Sequence, residues 1–195
     1  MSPTLKKEIK SWVIILSVML VGHFTGINKH FITGIQSVMI QVMPLNLSPD
    51  HEKVAQKADY SLTMSNPAGE LIKFEDYKGK VVFLNLWASW CPPCLAEMPN
   101  INNLYEKMKD EPDIKFVMLS IDENFDKAQA YVNRKKFNFP YFKVEFMPQV
   151  FKSPSIPTTY VINKSGEIIF IKEGMADYNT NKFIDLLKEA ANEGN

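Results

Sequence analysis

The sequence predicts an α/β domain with a mixed β-sheet flanked by helices, preceded by one apolar N-terminal helix. Three observations carry that expectation. From residue 58 onward, apolar runs of strand length alternate with helical stretches. Near the N-terminus, Ser11 to Ile27 holds no charged residue. Both cysteines of the 195-residue chain fall in one Cys-x-x-Cys, between a strand-like run and a helical one.

Residues 1–10 carry Lys6, Lys7 and Lys10, offset only by Glu8. Residues 11–28 then read as a transmembrane signal anchor. As a helix the charge-free run is about 25 Å long, against about 30 Å of hydrocarbon. Lys10 and Lys29 flank it and can snorkel to the two interfaces. Basic residues ahead of the run place residues 1–10 in the cytoplasm and the rest outside. A cleaved signal peptide is the main rival, but it needs small residues at its cleavage site, and no alanine precedes Ala55. A buried core helix is the third reading. The segment has no cysteine, so there is nothing to acylate as in a lipoprotein. Residues 29–57 hold Phe31, Ile35, Val38 and Val42 at helical spacing. This stretch reads as an amphipathic helix on the membrane or a partner, or as a continuation of the anchor. Pro44 ends it, and residues 44–57 read as a polar linker.

The outer domain occupies residues 58–195. Tyr60 to Met64 alternates like a strand, Asn66-Pro67-Ala68-Gly69 is a turn, and Leu71 to Phe74 is a second short strand. Val81 to Trp87 is almost continuously apolar, as a strand buried on both faces should be. A helix follows from about Pro93 to Lys109, and Lys115 to Ile121 is another buried strand. Strand, helix and strand at this spacing make a parallel βαβ unit. Asp122 or Asn124 can cap a helix over about Asp126–Lys136. Thr158–Ile162 and Glu167–Lys172 form a hairpin around Asn163-Lys164-Ser165-Gly166. Thr180 can cap a last amphipathic helix, Asn181–Ala191. Phe137, Phe139, Tyr141, Phe142, Phe146 and Phe151 read either as core or as the lining of a partner groove.

Composition excludes several classes. With 46% hydrophobic and 12% aromatic residues, the chain is not disordered. Lys and Arg number 22 and Asp and Glu 22, so nothing invites nucleic acid. That balance hides a split: residues 1–54 carry five Lys against three acids, a net charge of about +2. Two cysteines allow one bridge at most, which excludes a disulfide-stapled scaffold.

The sequence Trp90-Cys91-Pro92-Pro93-Cys94 carries the chemistry. Cys91 falls at a helix N-terminus, where free backbone N–H groups and the helix dipole stabilise an anion. The thiolate is the nucleophile, so a lowered pKa makes Cys91 reactive near neutral pH. Pro92 and Pro93 suit the first turn, where their missing N–H groups cost nothing. Cys94, one turn along, can reach the Cys91 sulfur. Cys91 then attacks a partner disulfide and Cys94 resolves the mixed disulfide, with no cofactor beyond the Cys91–Cys94 pair. A structural zinc site needs about four ligands, and His23, His30 and His51 all precede the outer domain. An inert structural bridge is the other alternative, but one this short barely constrains the unfolded chain.

The stretch FEDYKGKVVFLNLWASWCPPCLAEMPNI resembles the active-site region of the thioredoxin superfamily. It is most similar to the membrane-anchored TlpA/ResA-like thiol–disulfide oxidoreductases of bacteria, a group that includes cytochrome c maturation proteins. Ser155-Ile156-Pro157-Thr158-Thr159-Tyr160 and the turn after it resemble the family's cis-proline loop and hairpin. The resemblance covers about residues 58–191. It implies a thioredoxin-like fold with an N-terminal β-hairpin extension. It implies that Cys91 attacks, Cys94 resolves and Pro157 is cis, so that the Ile156 backbone can pair with a substrate strand. It also implies that Glu97, three residues past Cys94, assists proton transfer as a partly buried carboxylate. The bland alternative is a solvated helix glutamate. Thioredoxin itself has a buried acid where this chain has Asn85, which raises the need for Glu97. Trp90 is expected to shield the Cys91 sulfur, with Trp87 beneath it.

The expected function is reduction of protein disulfides outside a bacterial cytoplasmic membrane, in the periplasm, with apocytochrome c as one candidate client. An upstream electron donor in the membrane must resupply the pair, because no Gly-x-Gly-x-x-Gly fingerprint is present. The alternatives are a disulfide oxidase or isomerase, a thiol peroxidase, and a non-catalytic membrane-anchored module that binds clients. Peroxiredoxins expect a Thr and a Pro shortly before their cysteine, and Ala88-Ser89-Trp90 does not supply them.

Overall fold

A computed structural model of the chain describes residues 56–193. The anchor and amphipathic helix read from the sequence lie outside these residues. Among the described residues no helix is long and apolar enough to cross a membrane.

One seven-stranded sheet organises the domain. Its strands are β1 (Thr63–Ser65), β2 (Leu71–Lys73), β3 (Val81–Trp87), β4 (Ile114–Ser120), β5 (Tyr141–Phe146), β6 (Thr158–Ile162) and β7 (Ile168–Glu173). They lie in the order β2-β1-β5-β4-β3-β6-β7. β3 pairs parallel with β4 along all its residues and antiparallel with β6, so it is central, and every one of its residues is buried. Helices α1 (Pro92–Met108), α2 (Phe125–Lys135) and α3 (Asn181–Asn192) complete the domain.

The two faces of β3 sort by period two. Val81, Phe83 and Trp87 join Met98, Ile101 and Leu104 of α1, Val132 of α2, and Phe183 and Leu187 of α3. Val82, Leu84 and Leu86 face the other way, against Leu62, Met64, Phe74 and Phe151. Asn85 is therefore the polar position on the helix side of the central strand.

Each helix begins where its chemistry allows. Cys91 caps α1, with Pro92 and Pro93 in the first turn. Asn124, not Asp122, caps α2 by accepting the Asp126 N–H at 3.0 Å. Thr180 caps α3 by accepting the Phe183 N–H at 3.3 Å. α1 continues through Pro99, which has no N–H to give the Leu95 carbonyl. The Tyr131 hydroxyl of α2 supplies the missing donor at 3.2 Å. Burial pushes that phenol up to about 12, so it stays protonated and keeps donating.

Two elements differ from the sequence reading. The first strand starts at Thr63 rather than Tyr60, because Asp59 Oδ1 accepts the Ser61 N–H at 2.9 Å and holds the chain in a turn. β5 was not legible in the aromatic stretch 137–151, because its Lys143 and Glu145 interrupt the apolar signal. It pairs parallel with β4 and antiparallel with β1, joining the N-terminal hairpin to the main sheet. The aromatics around it are mostly core: Phe139, Phe142 and Phe151 are buried. Phe146 is exposed, at the end of β5 paired with Thr63. Phe137 and Tyr141 are half-buried and pack against the cluster that holds the cysteines.

The β6–β7 hairpin closes as its sequence suggests. Asn163 Oδ1 accepts the Glu167 N–H at 2.9 Å, and Gly166 sits at a φ of 82°. A Cβ at Gly166 would fall 3.2 Å from the Tyr60 hydroxyl, so space as well as φ favours glycine there. Residues 56–58 run beside this turn, with Ala58 N–H donating to the Gly166 carbonyl and Lys57 bridged to Glu167.

Candidate active site

The sheet delivers the cysteine pair to the end of β3. The chain leaves Trp87, passes through Ala88, Ser89 and Trp90, and turns into α1 at Cys91. The turn is held by the Cys91 N–H donating to the Ala88 carbonyl at 3.1 Å. It is held more firmly by Asp122, which lies two residues beyond β4 and is buried. Asp122 accepts the Ser89 N–H at 2.8 Å, the Ser89 hydroxyl at 2.6 Å and the Ser120 hydroxyl at 2.8 Å. The residue expected as a possible helix cap thus ties the loop before Cys91 to the neighbouring strand.

Cys91 and Cys94 form a disulfide with Cα atoms 5.3 Å apart. Cys91 Sγ accepts the Cys94 N–H at 3.2 Å, the bond an N-cap side chain makes. That N–H would serve a Cys91 thiolate in the same way. Cys94 is fully buried and Cys91 is 4% exposed, so the outer sulfur belongs to the residue at the cap. Trp90, 64% exposed, stands beside the pair with exposed Pro92 and half-buried Pro93. Trp90 is thus a surface platform. Trp87 is fully buried in the same cluster as both cysteines, packed against Tyr131.

The second wall comes from the loop before β6. The Ile156–Pro157 bond is cis. The Ile156 carbonyl oxygen lies 3.8 Å from Cys91 Sγ. A disulfide sulfur has no proton to donate, so this is a contact and leaves that carbonyl without a donor from the pair. The Pro157 carbonyl, by contrast, accepts the Gly174 N–H at 2.8 Å. Thr158 Oγ1 donates to the Ser155 carbonyl at 2.7 Å and steadies the loop. Trp90, Pro92 and Pro93 flank Cys91 along the chain, and the Ile156–Pro157 loop brings its Ile156 carbonyl to the outer sulfur.

Beneath the disulfide lies a buried polar cluster. Glu97, three residues past Cys94 on α1, is fully buried rather than partly so. Its Oε1 accepts from Asn85 Nδ2 at 2.9 Å, and its Oε2 accepts the Ala176 N–H at 3.2 Å. Asn85 Nδ2 also donates to Thr159 Oγ1 at 2.9 Å, a bond made possible because Asn85 and Thr159 are direct partners across β3 and β6. Burial pushes the Glu97 carboxyl up to about 8, against the two hydrogen bonds that pull it down. Such a group exchanges its proton near neutral pH. Ala176 and Tyr178, in the segment between β7 and α3, complete the cluster and were not legible in the sequence. Met175-Ala176-Asp177-Tyr178 carries no apolar period that would have marked them, although the fold turns Ala176 and Tyr178 inward.

Among the described residues no group of three His, Cys, Asp or Glu side chains is placed to hold a metal ion. The arrangement can make and break one disulfide and move one proton beside it.

Comparison with known proteins agrees with this chemistry. The family model described as the AhpC/TSA family matches residues 54–171. The thiol-disulfide oxidoreductase ResA of Bacillus thuringiensis subsp. konkukian is 36% identical over 104 residues, covering 52% of this chain and 59% of that protein. The chain thus spans about three fifths of the length of that relative. The protein of the same name from Halalkalibacterium halodurans is 32% identical over 126 residues, covering 63% of this chain and 71% of the relative. Among solved structures, StoA from Bacillus subtilis superposes with a TM-score of 0.52 at 26% identity, covering 68% of this chain and 98% of that one.

Proposed function

Because this chain belongs to the AhpC/TSA family, with a cysteine pair at a helix N-terminus, we propose that it is a thiol–disulfide oxidoreductase that reduces protein disulfides. One observation carries the reading. The Cys91–Cys94 disulfide caps α1 beside the Ile156 carbonyl and above a buried, titratable Glu97.

The mechanism follows from that placement. In the dithiol form Cys91 is a thiolate, stabilised by the N-terminus of α1 and the Cys94 N–H. A client chain lies along the Ile156 backbone and hydrogen-bonds to its carbonyl, between Trp90 and Pro157. Cys91 Sγ attacks one sulfur of the client disulfide, and the other leaves as a thiolate. Cys94 then gives its proton to the Glu97 carboxylate and attacks Cys91 Sγ. The mixed disulfide breaks, the second client sulfur leaves, and Glu97 passes its proton to water. Two electrons have moved from the Cys91–Cys94 dithiol to the client. With a pKa of about 8, about one Glu97 in ten is ionised at pH 7. It is therefore a base that the proton from Cys94 can reach without a large uphill step.

The reading extends to the segment outside the described residues. Residues 11–28 anchor the chain in a bacterial cytoplasmic membrane, and the oxidoreductase domain faces the periplasm. A membrane electron donor resupplies the pair, and cytochrome c maturation is the setting in which such a reductase serves apocytochrome thiols. The charge pattern around Ser11–Ile27 supports the anchor. The resemblance to the membrane-anchored reductases supports the direction of electron flow.

The test is a redox titration of the full chain in detergent, in thiol buffers of known potential, with free thiols trapped and counted. A midpoint near −270 mV, roughly that of thioredoxin, supports a reductase. A midpoint of about −120 to −180 mV overturns it in favour of an oxidase or isomerase. A chain that does not cycle between dithiol and disulfide is a binding module.

A further inference from the structure

The buried cluster contains a donor that nothing yet described uses. Tyr178 is fully buried, its ring packed edge-on to Phe83 at 5.3 Å and tilted against Phe183 at 5.0 Å. Its hydroxyl makes no hydrogen bond of good geometry among the described residues, and the Thr159 hydroxyl is the polar side chain that acts on it. An orphaned buried hydroxyl costs free energy, and phenylalanine would fill an aromatic pocket without that cost. The residue lies two positions beyond Ala176, whose N–H is already on Glu97 Oε2. We infer that Tyr178 is a positioning residue for Glu97, whose hydroxyl closes onto the carboxylate when Glu97 ionises and holds it ready to take the Cys94 proton.

The inference rests on the oxidoreductase reading and assigns Tyr178 a part in its second step. Four elements face Glu97. β3 brings Asn85, β6 brings Thr159, the segment between β7 and α3 brings the Ala176 N–H and Tyr178, and α1 itself carries Cys94 one turn away. Apart from burial, only the Asn85 and Ala176 bonds shift the Glu97 proton equilibrium in this disulfide form. Each carboxylate oxygen has two acceptor sites, and one bond occupies each here, so two sites stay open. Tyr178 is a protonated donor close enough for the Glu97 charge to act on its phenol. Burial first and the Glu97 charge second raise its phenol pKa well above the ordinary value, against a smaller downward pull from the Thr159 hydroxyl, so it never competes for the proton. Ionisation of Glu97 is what makes the missing bond favourable, since hydrogen bonds to a charged acceptor are the strong ones. The disulfide form, with Glu97 mostly protonated at neutral pH, is where the hydroxyl is left idle.

The test isolates the resolving step. The full chain in detergent is reduced, mixed with oxidised glutathione, and quenched in acid at intervals. Mass spectrometry then follows decay of the Cys91–glutathione mixed disulfide between pH 6 and 9.5. In the wild type the decay rate rises with pH to a plateau with a midpoint near 8, and Glu97→Gln loses that rise. Tyr178→Phe is expected to move the midpoint up by about one pH unit, a tenfold change in proton affinity, and to slow decay about tenfold at pH 7. Site-specific 3-fluorotyrosine at position 178, a stronger donor, is expected to move the midpoint down. An unmoved midpoint in Tyr178→Phe overturns the inference and makes Tyr178 a packing residue. A wild-type chain that forms no mixed disulfide, or never resolves it, overturns the oxidoreductase reading and the inference with it. A Glu97→Gln chain with the wild-type pH profile overturns the inference while leaving the oxidoreductase reading intact.

Discussion

Glu97→Gln should remove a large pH dependence of stability, and the structure sets its sign and size. Glu97 has an ordinary pKa of 4.5 in the unfolded chain and about 8 in the buried site. Below pH 4.5 the carboxyl is protonated in both states, and its favourable contribution is fully present. Between 4.5 and 8 the folded chain keeps a proton that the unfolded chain releases. Stability therefore falls as pH rises through this window, and levels off above about 8. At about 1.4 kcal/mol for each tenfold difference in proton affinity, the total loss is about 4–6 kcal/mol. That is a large share of a typical domain stability. Gln is neutral at every pH, and its oxygen can still accept the Ala176 N–H. Its amide can donate to Asn85 Oδ1, which now has no partner, once the Asn85 amide turns over. The assay is urea unfolding of the disulfide form of both full-length chains in detergent at pH 5 to 9. Other titrating groups act equally on both, so the difference between the chains reports on Glu97. Wild type minus variant should fall by about 1.4 kcal/mol per pH unit from pH 5 to 8 and then flatten. Parallel curves across that range would refute the claim that Glu97 is buried and titrates near 8.

Other expectations concern single contacts. Cys94→Ser should leave Cys91 joined to a disulfide substrate as a stable mixed disulfide, seen as a mass shift on a non-reducing gel and reversed by dithiothreitol, whereas Cys91→Ser should give none. Asp122→Ala strips three donors of their acceptor at the loop before Cys91. It should lower stability by about 2–3 kcal/mol and slow alkylation of reduced Cys91 by iodoacetamide; an unchanged alkylation rate would mean that the loop holds its shape without the clamp. Tyr131→Phe leaves the Leu95 carbonyl unpaired opposite Pro99 and should cost about 1–3 kcal/mol in thermal or urea unfolding. If that cost is absent, water reaches the carbonyl and the hydroxyl is dispensable.

Much of the domain was legible because its signals are local. The run Val81–Trp87 could only be a central strand, and the structure gives it the same bounds. Asn124 and Thr180 cap helices because their side chains reach N–H groups two or three residues ahead, and that reach is written in adjacent residues. The Cys-x-x-Cys at a strand–helix junction announced itself for the same reason. β5 was missed because its place is set by partners far away in sequence, β4 on one side and β1 on the other. Its own residues, with Lys143 and Glu145 among aromatics, state no clear period.

The candidate site divides along the same line. The sequence alone determined the reactive pair, the prolines that start α1, and an acid one turn past Cys94. All are consequences of helical spacing within a few residues. Only the tertiary structure decided what that acid is. A glutamate three residues past Cys94 can be solvated or buried at equal spacing. Burial follows from Asn85 and Thr159 meeting across β3 and β6, and from the segment after β7 bringing the Ala176 N–H onto it. Asp122 likewise changed from a possible cap into the clamp on Ser89, because β3 and β4 end side by side. Proton affinity depends on the dielectric and on donors around a group, and both are properties of neighbours in space. A chain read in order can place the sulfur chemistry, but folding sets the pH at which its proton moves.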